Sequence, residues 1–503
     1  MTRITSTDPR SGKTVETDIE ATSEDEVEAI ALKAVDAFRE LKRRPRSWRA
    51  GMLRALSTNL EAHRDDLVSA AEQETGLNAA RLGGELSRTT YQLELFADAI
   101  IEGSYLEATI DHAGQSRLGP VPDIRRMLVP IGPVAVFGSS NFPFAFSVPG
   151  GDTASALAAG NPVIVKAHSS HPITSRLAFE AMVEAAATCG SPPGTLGIVY
   201  GQRGGANLVA NSQVAAVGFT GSLSTGRILL NIIQDRERPI PFYGELSSVN
   251  PLIVTPGAIA LRGEVIADGL FQSFTGSAGQ MCTKPGIAFI PHDADSLVAA
   301  LVARATSAPA QTLLSEKIFA ALGEIRQRLV AQGRARVLVE ASIGEDGFSL
   351  TPGILEVNAS DLNEATSEEA FGPLIVLARY AHLGEVSRAL SAIPDSLTGT
   401  IHMEPSELSE IEQLVERLEQ SSGRVVFNGY PTGVRVSWGQ HHGGPWPATN
   451  SAHTSVGVSA IRRFLRPLAW QDAPEAVLPI DLRDSTRALP RRVDGVLELA
   501  SGG

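Results

Sequence analysis

Apolar and polar residues follow two different periods along this chain, and the switch between them divides it. From about 24 to 101 apolar positions recur, with interruptions, at helical spacing. The run is introduced by Ser23-Glu24-Asp25-Glu26, a capping hydroxyl followed by acids where a helix dipole favours them. The texture changes across 120–133. Short Val/Ile runs at 134–137, 162–165, 196–199 and 215–219 then alternate with Ala-rich helical segments. Strands separated by helices of that length predict βαβ units and a parallel sheet.

A second α/β series follows Cys282, with strands expected at 287–290, 337–339 and 374–377 and helices near 295–306 and 315–332. The stretch 431–447 is rich in Gly, Pro and aromatics and reads as an irregular segment wrapping over the surface or over a site. No fixed-period repeat or low-complexity tract interrupts the pattern. A length of 503 residues implies about three domains or lobes.

Composition narrows the function classes. With 43% hydrophobic and 20% charged residues the chain is globular, not disordered or fibrous. A net charge of −13 argues against a broad nucleic-acid or anionic-membrane surface. The short basic cluster Lys42, Arg43, Arg44, Arg46 reads as a solvated helix end. The start of the chain has no apolar signal core, and apolar runs break well before membrane-spanning length. Two cysteines cannot make a disulfide framework or a metal-cysteine cluster, so no metal site is expected and a reducing cytoplasm fits. Cys189 ends an Ala-rich helical run and reads as packing.

Cys282 differs. It lies in Gly276-Ser277-Ala278-Gly279-Gln280-Met281-Cys282-Thr283-Lys284-Pro285-Gly286, among turn formers that let backbone approach something else. Local composition leaves a reactive and an inert thiol equally open. Three further places carry chemistry. Val214 to Phe219 runs into Thr220-Gly221-Ser222 and then a helix, an arrangement that binds anions on free N–H groups but also occurs simply as a turn. Glu245 follows a Pro-bounded strand and reads either as a surface acid or as a base. Asn141, in Asn141-Phe142-Pro143, is either a turn residue or a carbonyl-polarising amide.

Taken together, Asn141-Phe142-Pro143, Phe219-Thr220-Gly221-Ser222, Glu245-Leu246, Gly279-Gln280-Met281-Cys282 and Glu369-Ala370-Phe371-Gly372-Pro373 resemble, in order and spacing, the aldehyde dehydrogenase superfamily over nearly the whole chain. The resemblance implies an α/β fold: a Rossmann-like cofactor domain (1–110 and 130–246), a second α/β catalytic domain (247–455), and a small β oligomerisation extension (111–129 and 456–503) supporting a homodimer or homotetramer. It implies Cys282 as nucleophile, Asn141 and the Cys282 N–H as oxyanion donors, and Glu245 as the base that activates water.

For the cofactor, the resemblance implies Thr220, Gly221, Ser222 and the following helix start at the pyrophosphate, Leu246 and Phe371 beside the nicotinamide, and Glu369 on its ribose. Lys166 and Ser169 fall where the adenosine ribose binds. Relatives preferring NAD commonly carry a Glu shortly after this Lys, whereas here Ala167-His168-Ser169-Ser170 follow; with Arg203 nearby, NADP is expected to be preferred, with NAD possible. His168 is expected to cap or lie on the surface.

Two departures mark a branch. Ser247 and Ser248 stand where many relatives have two glycines, and the segments 427–434 and 441–447 are similar to those of α-ketoglutarate semialdehyde (2,5-dioxovalerate) dehydrogenases and some NADP-linked fatty-aldehyde dehydrogenases. In that branch a histidine at the position of His442 approaches the catalytic cysteine. An oxo-acid aldehyde would want an arginine, for which Arg81, Arg88 and Arg435 are candidates, with Phe142 also lining the substrate path. A fatty aldehyde would use Phe142, Phe144, Phe146 and Trp438. The leading expectation is oxidation of α-ketoglutarate semialdehyde to 2-oxoglutarate; the alternatives are a long-chain aldehyde substrate or a non-redox cysteine hydrolase.

Overall fold

The computed structural model describes residues 2–332, 335–363 and 367–500. The helical stretch at the start resolves into four helices, Glu24–Leu41, Arg46–Ala62, Arg64–Thr75 and Ala79–Glu102. Ser23 and Glu26 form a reciprocal capping box. Pro45 separates the first two helices, and Gly76 and Gly103, both left-handed, end the last two. These stops are the interruptions in the periodicity. The apolar faces, including Leu53, Leu56, Leu60, Leu86, Leu93 and Phe96, share one core with Val134, Val163 and Val165 of the first sheet.

That sheet is parallel throughout, with spatial order Phe242–Glu245, Ala216–Thr220, Val134–Phe137, Val163–Lys166, Leu196–Val199. The chain winds outward from Val134–Phe137 on one side, then returns to place Ala216–Thr220 on the other. The carboxyl ends of these two neighbours, leading into Asn141 and into Gly221-Ser222, form a topological switch point, where open α/β sheets bind ligands.

The second sheet has seven strands in the order Arg336–Val339, Gly353–Asn358, Leu374–Tyr380, Ile287–Pro291, Leu252–Val254, Ser396–His402, Ser422–Phe427. All neighbours pair in parallel except Arg336–Val339, which runs antiparallel to Gly353–Asn358. The connection between those two has no crossover helix, so the chain turns straight back. Ser396–His402 was not singled out in the sequence pattern because its buried positions include Thr398 and Thr400, which read as polar but suit a strand.

A third sheet combines Ile124–Pro130 and Thr109–Asp111 with Leu465–Gln471, Arg491–Val493 and Val496–Glu498 from the far end of the chain. Among the described residues no helix is long and apolar enough to cross a membrane.

Candidate active site

Cys282 is presented by a constrained turn. Ser277, Ala278 and Gly279 all have positive φ, at 52°, 55° and 66°. Left-handed backbone costs a non-glycine residue roughly 1–2 kcal/mol, so the surroundings must hold it. A Cβ at Gly279 would collide with the carbonyl of Gly372, so this glycine lets the two loops touch. The buried Lys284 ammonium donates to the carbonyls of Ala370 (2.7 Å) and Leu374 (2.8 Å), tying the same two loops together. Burial brings Lys284 down to about 8. Asn250 donates from Nδ2 to the carbonyls of Cys282 (2.8 Å) and Lys284 (3.0 Å), and Gln280 Oε1 accepts the N–H of Leu314 at 2.9 Å.

Around the thiol stand two residues from distant parts of the chain. Glu245 ends the edge strand of the first sheet, and His442 lies in the irregular segment after the second. His442 Nε2 is 2.9 Å from Glu245 Oε1 and 3.6 Å from Cys282 Sγ. Glu245 is 3% exposed and His442 1%. Ser455 donates to the other carboxylate oxygen at 2.8 Å, and Thr454 Oγ1 accepts the His442 backbone N–H at 2.8 Å. Nδ1 of His442 is buried without a partner among the described residues, so the arrangement that leaves no donor stranded puts the proton on Nε2, donating to Glu245.

Electrostatics separates the acid from the thiol. Burial pushes the Glu245 carboxyl up, but the hydrogen-bonded His442 imidazole and the hydrogen bonds of Ser455 and Cys282 outweigh it, leaving the group below its ordinary value. Burial, then the Glu245 charge, pushes the Cys282 thiol well above its ordinary value. A carboxylate that is ionised beside a thiol that is protonated is a base with its proton donor in place.

Asn141 donates from Nδ2 to the Gln280 carbonyl at 3.0 Å, which sets its amide against the nucleophile turn. Its second N–H is the one available to an oxyanion. Arg81, a substrate candidate by sequence, pairs with Glu85, donates to Ser277 Oγ (3.2 Å) and the Asn141 carbonyl (3.1 Å), and lies 4.5 Å over the Phe142 ring. Its donors are committed to bracing the turn. Phe144 is fully buried in the first core. Arg435 is exposed.

Arg88 is different. It makes no hydrogen bond or ion pair with a described residue, and its Nη1 is buried. Its guanidinium lies 5.3 Å over Phe146, whose ring is 6.3 Å from that of His442. Burial lowers its pKa, while the charges of Glu85 and Cys282 oppose that. Arg424 adds a second underused cation. It is half-buried, donates to the Pro431 carbonyl at 2.6 Å, leaves Nε buried without a partner, and feels the Cys282 charge.

The cofactor candidates lie around the switch point. Ser222 caps the helix Leu223–Gln234, accepting the N–H of Thr225, and is itself exposed. Gly221 N–H donates to the Glu245 carbonyl at 3.0 Å, and Leu246 N–H to that of Ala448 at 2.8 Å, linking this turn to Glu245. Thr220 and Gly221 are half-buried, as is Phe371. Lys166 ends its strand without a described partner, and burial alone brings it to about 8. Ser169 and Arg203 are exposed. Nδ1 of His168 accepts the Ser170 N–H at 3.1 Å, a local cap. Glu369 accepts from the Ser247 hydroxyl at 2.7 Å, and burial raises its carboxyl to about 7. An unpaired cation at one end, a capped helix start in the middle and a hydroxyl-bound carboxylate at the other suit a dinucleotide.

A family model described as the aldehyde dehydrogenase family matches residues 1–450. The chain is 41% identical to "Alpha-ketoglutaric semialdehyde dehydrogenase 2" of Azospirillum brasilense, over 98% of this chain and 95% of that protein. It is 40% identical to "Alpha-ketoglutaric semialdehyde dehydrogenase" of Acinetobacter baylyi, over 94% and 91%. A crystal structure of PnpE in complex with nicotinamide adenine dinucleotide superposes with a TM-score of 0.81 at 22% identity, covering 96% of each chain.

Proposed function

Because the chain belongs to the aldehyde dehydrogenase family, we propose that it oxidises α-ketoglutarate semialdehyde to 2-oxoglutarate with NADP preferred over NAD. The observation that carries the substrate reading is Arg88, a half-buried cation beside the catalytic cluster whose Nη1 is buried without a partner. An unpaired buried cation is costly and would be matched by a carboxylate of the substrate. Two relatives of high coverage bear the name of this substrate.

In this reading the Cys282 thiol gives its proton to Glu245, and the sulfur attacks the aldehyde carbon. The remaining Asn141 amide N–H and the Cys282 backbone N–H hold the oxyanion, a term commonly worth about 3–4 kcal/mol. His442 and Ser455 keep the Glu245 carboxylate aimed at the sulfur. A bound nicotinamide dinucleotide would supply the hydride acceptor, so that the thiohemiacetal on Cys282 could become a thioester. Glu245, its proton returned to solvent, then takes one from the water that cleaves the thioester. His442 donates to the carboxylate throughout and acts as a positioning group.

The same reading gives the cofactor its residues. Thr220, Gly221 and Ser222 hold the pyrophosphate, Lys166 and Ser169 the adenosine ribose, Arg203 a 2′-phosphate, Leu246 and Phe371 the nicotinamide, and Glu369 its ribose. NADP is favoured because Lys166 and Arg203 offer two cations where no acid follows the lysine. Residues 1–110 with 130–246 are assigned to the cofactor domain, 247–455 to the catalytic domain, and 111–129 with 456–503 to an extension that supports a homodimer or homotetramer. Kinetics with α-ketoglutarate semialdehyde, succinate semialdehyde and a long-chain aldehyde, each with both cofactors, test the assignment. The highest kcat/KM for the oxo acid with NADP supports it, and a preference for the long-chain aldehyde overturns it.

A further inference from the structure

The atoms arranged for oxidation also form a set of metal ligands. Sγ of Cys282, Nε2 of His442 and a carboxylate oxygen of Glu245 all lie within 4.8 Å of one another. The sulfur–nitrogen separation is 3.6 Å and the nitrogen–oxygen separation 2.9 Å. Zinc bonds of about 2.0–2.3 Å in tetrahedral geometry place such ligand atoms about 3.3–3.6 Å apart. The His442–Glu245 pair has to open by about 0.4 Å for an ion to enter between them.

We propose that Cys282, His442 and Glu245 form a reversible inhibitory site for a thiophilic divalent cation, zinc or cadmium, which closes the catalytic centre to aldehyde. The sulfur–metal bond forms as the thiol proton leaves to solvent, with no change of oxidation state. One thiolate and one carboxylate then neutralise the dication, and the fourth position takes water. Such a balance suits a nearly dry site better than two separate anions do.

Two features limit the affinity. Arg88 faces the cluster and repels a cation, and metal on Nε2 moves the imidazole proton to Nδ1, which has no partner. Loss of such an outer brace commonly costs about 10- to 100-fold in metal affinity. The site is therefore regulatory or adventitious in strength, not a resident structural centre. Its inhibitory consequence rests on Cys282 being the nucleophile; its existence does not.

The test uses the full chain, stripped with chelator and free of cofactor, titrated with cadmium chloride and followed by the ultraviolet cadmium–thiolate band. Protection of Cys282 from iodoacetamide is read in parallel by peptide mass spectrometry. One equivalent should bind, C282S should abolish the band, and H442Q and E245Q should each weaken binding at least tenfold while circular dichroism stays native. Equal affinity in the wild type and E245Q, or a band surviving in C282S, overturns the site. Should H442Q fail to fold, E245Q decides alone. Neither readout involves turnover, so failure of the dehydrogenase reading shows separately, as aldehyde that reduces no cofactor. Where both hold, zinc inhibits competitively with aldehyde and chelator restores the rate.

Discussion

Replacing Arg88 by methionine sets function against stability. In the free enzyme this guanidinium has a buried Nη1 without a partner and only the Phe146 ring beneath it. If its purpose is a substrate carboxylate, removal costs a charge-assisted pair of about 1.5–3 kcal/mol, which at about 1.4 kcal/mol per decade lowers kcat/KM roughly 10- to 150-fold. The loss should appear only with carboxylate-bearing aldehydes. Stability should respond in the opposite sense. Methionine fills similar volume without an unpaired buried charge, while the lost ring contact is worth only about 0.5–1 kcal/mol, so R88M should melt at or slightly above the wild-type temperature. The assay pairs thermal unfolding with cofactor-reduction kinetics on α-ketoglutarate semialdehyde and on pentanal, an uncharged aldehyde of the same carbon count. Equal loss on both aldehydes, or a melting temperature several degrees lower, would show that Arg88 braces the fold and refute the carboxylate assignment.

Further outcomes follow from the same contacts. Ser455→Ala removes one donor that holds the Glu245 carboxyl down, so the carboxyl rises and the acidic limb of the kcat–pH profile moves to higher pH; an unmoved limb would contradict the role given to Ser455. Lys166 is a cation below about 8, so as pH rises through that value the KM for NADP should climb while that for NAD changes little, a difference that K166Q abolishes. Ser247→Gly takes a hydrogen bond from Glu369, already near 7, so this carboxyl becomes more protonated at neutral pH and the cofactor KM rises severalfold. Gly279→Ala forces a Cβ against the Gly372 carbonyl and should lower kcat strongly with either class of aldehyde.

Much of this was legible in the sequence for physical reasons that can be named. The helical stretch was marked by a capping hydroxyl at Ser23 and by its periodicity, and the first sheet by short Val/Ile runs, because both signals are local; the stops at Pro45, Gly76 and Gly103 came from the structure. Cys282, Glu245 and Asn141 stood out through motif order. What did not stand out is what contacts supply across the chain. Arg81 and Arg88 share a helix and look alike, yet only the structure shows that Glu85 and the nucleophile turn occupy the first and leave the second unpaired. Ser455 serves Glu245 across 210 positions, and Lys284 reaches carbonyls 86 and 90 positions away. A serine in an irregular segment and a lysine after a cysteine carry no pattern that marks them. Arg424 escaped because it sits in a strand whose alternation gives no sign that its guanidinium reaches the Pro431 carbonyl.

The claim that everything else depends on is that Cys282 carries the acyl group and Glu245 releases it. Rapid mixing of E245Q with α-ketoglutarate semialdehyde and NADP, followed by the near-ultraviolet absorbance of reduced cofactor and by intact-protein mass spectrometry, tests it directly. One equivalent of reduced cofactor, formed more slowly than in the wild type because Glu245 also takes the thiol proton, with the 2-oxoglutaryl adduct accumulating on Cys282 and little further turnover, is the expected result. Steady turnover at the wild-type rate, or a burst that leaves Cys282 unmodified, would contradict it.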